Sequence, residues 1–178
     1  ASDVYKRQLQ GTIIIPAKTT RENRLYARLQ YFNMNDFQGS GDPSIYPHME
    51  ISINRARIGN SIFNNMKLSS FKSRDGMTLD QLSFQNKNLS MNASGKWANI
   101  SGNQITFFDG NFSSNNFGKS LKELGYGDII KRGKLNSRMI GQWKGSPDLF
   151  SLENFTGNIT VSMTDGEFLQ IQKETKDV

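Results

Sequence analysis

The sequence predicts a mostly β protein, an antiparallel meander interrupted by one short amphipathic helix. Three observations carry that expectation. Apolar residues recur at every second position in many segments, as in FTGNITVSMTDGEF, where Phe155, Ile159, Val161 and Met163 share one parity and Asn158, Thr160 and Ser162 the other. Gly, Asn and Asp punctuate the segments, as at RDG (74–76) and SGN (101–103). Only the stretch 113–133 changes to helical spacing.

The elements follow in chain order. GTIIIPA (11–17), a β-branched run ended by proline, places Ile13 and Ile15 on one face of a strand. RLYARLQYF alternates Leu25, Ala27 and Leu29 against Tyr26, Arg28 and Gln30, and NDFQGSGDPSIYP (35–47) is a loop. HMEISINRARIG sets Met49, Ile51 and Ile53 opposite Glu50, Ser52 and Asn54. NMKLSSFKS, MTLDQLSFQN, LSMNASGKWAN and NQITFFDGNFSS extend the pattern through Met66 and Leu68, Leu82 and Phe84, Leu89 and Met91, and Ile105 and Phe107. In SSNNFGKSLKELGYGDIIKRG, Ser and Asn caps precede Phe117, Leu121 and Leu124 at i, i+4, i+7, with Gly125 as a stop, so a short helix is expected near 116–125. KLNSRMIGQWKGS and the closing segment return to strands.

Bulk properties narrow the function. Of the 178 residues 35% are hydrophobic, which is lean for a multi-layer core and suits a thin layer with one apolar face. The net charge of +6 raises nucleic acid as a partner, but the cations are dispersed, with no dense basic run interleaved with aromatics, and none is expected. There is no cysteine, hence no disulfide or thiolate metal site, and no apolar run long enough to span a membrane as a helix.

Catalytic patterns are equally thin. His48 is the only histidine and has no sequence partner. FGKSL (117–121) fails as a phosphate loop, because Ser113 stands where the leading glycine belongs. Asp75, Asp80, Asp109, Asp128, Glu153, Asp165 and Glu167 are scattered among turn residues, and the six N-x-S/T sequons fit an Asn- and Ser-rich composition. Neither enzymatic activity nor a cofactor or metal is expected. What survives is the apolar face itself. Periodicity favours burying it in a β-sandwich, a binding or adhesion module; a sheet curled into a groove for lipid is the alternative.

One segment distinguishes these. LKELGYGDIIKRGKLNSRMIGQWKGSPDLFSLENFTGNITVSMTDGEFLQI (121–171) resembles the C-terminal region of the YhdP group within the AsmA-like bacterial envelope proteins. The likeness rests on Leu124 to Tyr126, Trp143 to Pro147, Phe150 to Asn154, and the Asp165–Gly166 turn, and in rhythm it extends over residues 9–171. A departure is the polar QIQKETKDV, where family members usually continue into a Gly- and Leu-rich segment. The resemblance implies a curved β-groove, the periplasmic portion of an inner-membrane-anchored Gram-negative protein that conducts phospholipid towards the outer membrane and supports its barrier. Its partners would be phospholipid acyl chains and, through other parts of a longer chain, the two membranes. Shielding matters energetically: each acyl CH₂ in water costs about 0.8 kcal/mol, so two chains exposed together cost on the order of 20 kcal/mol. In that reading the stripes named above, with Phe155, Ile159, Val161 and Met163, line the lipid path. Residues 9–178 are expected to form a single region of a much longer protein. Asp3 to Gln8 (DVYKRQ) match one reading frame of a common sequencing adaptor, so residues 1–8 are expected to be a non-native scar of an environmental library.

Overall fold

The computed structural model describes residues 9–33, 41–123 and 127–169. They form nine strands: β1 (Leu9–Ile14), β2 (Leu25–Asn33), β3 (Met49–Ile58), β4 (Ser61–Ser73), β5 (Gly76–Gln85), β6 (Leu89–Ile100), β7 (Asn103–Ser114), β8 (Ile130–Lys144) and β9 (Phe155–Phe168), with one α-helix, α1 (Phe117–Glu123). All nine lie in one sheet in sequence order, and β1 does not pair with β9, so the sheet is open. The expected class therefore holds, and no second sheet faces this one among the described residues. Leu124, expected within the helix, lies outside the described residues.

Two-residue turns join several strands. At Ser101–Gly102 both φ angles are positive (53° and 84°), the geometry that matches the right-handed twist of a hairpin. One pairing departs from the antiparallel meander: β2 runs parallel to β3. A parallel pair needs a crossover of about a dozen residues or more, which the stretch 34–48 supplies. That connection returns at the far end of the sheet. Its 3-10 turn at Pro43–Ile45 buries Pro43, Tyr46 packs on Trp97 at 5.6 Å between ring centroids, and Gln104 donates to the Gly41 carbonyl. Asp42 starts the turn by accepting the Ser44 amide at 2.9 Å, and that bond holds its carboxyl below the usual carboxylate range.

The opposite end is closed by α1. Asn116 caps it, accepting the Lys119 amide at 3.2 Å. Ser120 bonds Ser114 of β7 at 3.0 Å, and Glu123 accepts from Ser61 of β4 at 3.4 Å. β4 and β8 stand four strand spacings apart, about 19 Å along the sheet. A seven-residue helix, about 10 Å long, nonetheless packs on β8 and reaches β4. The sheet must therefore curl, and α1 is the chord across the curl.

Contact with β8 is close at Gly118, where an added Cβ would sit 2.0 Å from the Ile130 carbonyl oxygen and 3.0 Å from the Arg132 nitrogen. Gly118→Ala is expected to cost about 1–3 kcal/mol and to lift α1 from the sheet. Faster amide hydrogen exchange at Ser120 and Leu121, measured against wild type, checks it; unchanged exchange there would show that the helix does not depend on this approach.

Candidate apolar trough

Side chains directly opposite one another on paired strands share a face. Following the register across the sheet gives one unbroken apolar row: Ile13, Ala27, Ile51, Leu68, Leu82, Ala93, Gly110, Met139 and Ile159. Every strand contributes one residue. At about 4.8 Å per strand the row runs roughly 38 Å. A second row on the same face joins Phe84, Met91, Phe112, Ser137 and Val161, and a third joins Leu89, Ser114, Leu135 and Met163. The other face carries a polar row over β5–β9, with Ser83, Asn92, Asn111, Arg138 and Thr160 aligned and Arg138 paired to Asp109 at 3.1 Å.

The apolar face is covered in the middle and open at its ends. Ala27, Leu29, Ile53, Ala56 and Met66 form a buried cluster, with Leu25, Phe32, Ile51, Leu82 and Phe84 packed around it. Met49, Leu89, Met91 and Ala93 are buried as well. Phe63 is wholly buried against the Phe84 ring at 4.7 Å. Towards β9 the cover ends: Ile159 is 43% exposed and Val161 56%, while Met139, Phe155 and Met163 are half-buried. At the other edge Ile13 is 47% exposed, and Ile15 lies beyond the end of β1 and is exposed.

Ile105 and Phe107 stand apart. Their partners are Ala98 and Lys96 on β6, and Lys144 and Gln142 on β8, so both sit on the outer face. Thr106, Phe108 and Phe112 face the trough instead, together with Gly110 and Ser114 of the rows above. The sequence reading also missed an aromatic chain at the open end. Phe112, Phe108, Trp143, Phe150 and Phe155 follow one another at 5.2–6.1 Å between ring centroids. Small neighbours make room for it: a Cβ at Gly141 would meet the Phe155 ring at 2.5 Å, and one at Gly110 the Phe108 ring at 2.4 Å. Trp143 still satisfies its indole N–H, which donates to the Ser146 carbonyl at 3.0 Å.

Among the described residues no catalytic grouping accompanies the trough. His48 uses Nδ1 to accept the Lys72 amide at 3.3 Å, a structural tie. Asp75, Asp109, Asp128 and Asp165 pair with Lys96, Arg138, Lys122 and Lys134. Among the described residues no cluster of His, Asp and Glu could hold a metal ion, and no helix is long and apolar enough to cross a membrane.

The family model described as "YhdP protein" matches residues 2–176. The chain belongs to the YhdP family. No curated protein and no solved structure matches it. Membership places the chain in a family of the bacterial envelope that is associated with lipid transport and is not an enzyme family. For a YhdP-family chain the exposed β7–β9 stripe gains significance, because isolated proteins rarely leave a contiguous apolar surface uncovered without use for it.

Proposed function

We propose that this chain is the periplasmic β-groove part of a longer, inner-membrane-anchored protein that shields and conducts phospholipid between the inner and outer membranes. The observation that carries the reading is the nine-strand apolar row from Ile13 to Ile159. A single curled sheet offers acyl chains a continuous surface, and no bond needs to be made or broken for a chain to slide along it. The hydrophobic gain is spread over many weak contacts, so the lipid is sheltered without being held at one point.

Lipid occupies the open β7–β9 stripe first. The buried cluster around Ala27, Leu29 and Ile53 is reached only if the crossover turn and α1 yield, since these close the two ends of the curl. Bacteria producing the full-length parent protein, with a photo-crosslinking residue placed in turn at 158, 159, 160 and 161, supply the test. Lipid adducts are expected from Ile159 and Val161 and not from Asn158 and Thr160. Adducts at neither pair, with Ile159 and Val161 crosslinked only to protein, would remove the physical basis of the proposal.

A further inference from the structure

We infer that the α1 end of the trough carries a seat for a phosphate-diester headgroup, built on the turn between β5 and β6. The inference rests on the reading that the inner face carries acyl chains, and adds where the polar end of the same molecule goes. Two open clefts, of about 420 and 400 Å³, flank this turn and share Asn86, Lys87 and Asn88. The turn itself is rigidly tied. Asn86 accepts the amides of Asn88 and Leu89 at 2.8 Å each, and Asn115 donates to the carbonyls of Asn88 and Lys87 at 3.1 and 3.0 Å.

Asn88 is the anomaly in this frame. It is only 9% exposed, it lines both clefts, and its carboxamide makes no hydrogen bond among the described residues. A carboxamide with no partner among the described residues, bordering two clefts, is open to a ligand or solvent group there. Lys87 beside it has no carboxylate within ion-pair distance among the described residues.

The two clefts differ in charge. The smaller one adds Arg55 and Lys119 to Lys87, together with Glu123, which pairs with Lys119 at 3.8 Å. No Asp or Glu lines the larger one, which instead adds Lys134. Lys134 is held by Asp165 at 3.3 Å, but both side chains are about two-thirds exposed, so the pair opens at little cost. Leu89 and Leu135 complete the larger cleft, and they continue inward along the row that ends at Met163. An amphiphile thus finds an anion-binding lip and an apolar floor in contact. A phosphate diester, with one negative charge and two free oxygens, matches one ammonium and one carboxamide N–H.

The test uses the 178-residue chain and three probes: dihexanoylphosphatidylglycerol below its micelle concentration, dihexanoylglycerol, and inorganic phosphate. Amide and methyl NMR signals are followed at Asn88, Ile159 and Val161. The phospholipid is expected to shift all three, and Lys87→Gln with Asn88→Ala to weaken its binding about tenfold while leaving dihexanoylglycerol binding unchanged. Asn88→Ala removes a carboxamide that bonds none of the described residues, and Lys87→Gln alone, expected to weaken binding several-fold, serves as the second variant.

Equal binding of the two lipids, with shifts only at Ile159 and Val161, would overturn the headgroup seat and leave the trough reading intact. Phosphate shifting Asn88 while neither lipid binds would overturn both, leaving a free-anion site. No shift at Asn88 with any probe also overturns the seat.

Discussion

Phe63→Ala is expected to destabilise the protein by about 3–5 kcal/mol, the range for removing a fully buried aromatic ring. Phe63 has no exposed surface, stands opposite Ala56 on β3 and packs edge-on against Phe84 of β5. A one-layer sheet has little else with which to fill the gap, because Ala56 already brings the smallest apolar side chain to that spot. Urea unfolding monitored by tryptophan fluorescence would report the loss, with the thermal midpoint falling by roughly 10 °C. A change under 1 kcal/mol would mean that the covered half of the trough collapses onto the vacancy and is far softer than its burial implies.

Replacing Ile159 and Val161 together with Asp is expected to act the other way, sparing the fold and abolishing lipid capture. Both side chains are about half exposed on an edge strand, where substitutions usually change stability by less than 0.5 kcal/mol each. An acyl chain lying on the stripe must then desolvate two carboxylates, at several kcal/mol, which is more than a hundredfold in occupancy. A crosslinker at Met139, the cross-strand partner of Ile159, reads the outcome. Undiminished adducts at Met139 in the double-Asp protein would place the lipid elsewhere.

The contrast between these two sites explains what the sequence disclosed. Strand positions were legible, and so was the alternation within Leu25–Leu29, Met49–Ile53 and Phe155–Met163, where apolar and polar residues take turns. Phe63 was not. The irregularity between Asn64 and Lys67, where Asn65 takes a positive φ of 52°, lets Phe63 and Met66 both be buried despite their odd spacing. Alternation cannot see past such a bulge. β7 was ambiguous for another reason: ITFFDGNF has large apolar residues on both parities, and only pairing with Trp97 and Trp143 fixes Thr106, Phe108 and Phe112 inward. The family likeness was carried by local motifs and survived these errors. Which stripes are covered depends on where the 41–48 segment and α1 land, and no periodicity encodes that.

The placement of α1 also bears on how such a curled sheet varies. A sheet on its own adjusts its radius smoothly through twist, but a helix stretched between Ile130 and Ser61 behaves as a strut of fixed length. Adding or removing one residue changes a strut by about 1.5 Å, close to the advance of one methylene, and also turns its contact face by about 100°. Single-residue changes therefore spoil the fit at Gly118 and Ser120, whereas insertions near a whole turn preserve it. On the proposed lipid reading, the gauge of the trough is set in steps of about 5 Å, so relatives carrying different lipids would be expected to differ here by whole helical turns, with their strands left alone.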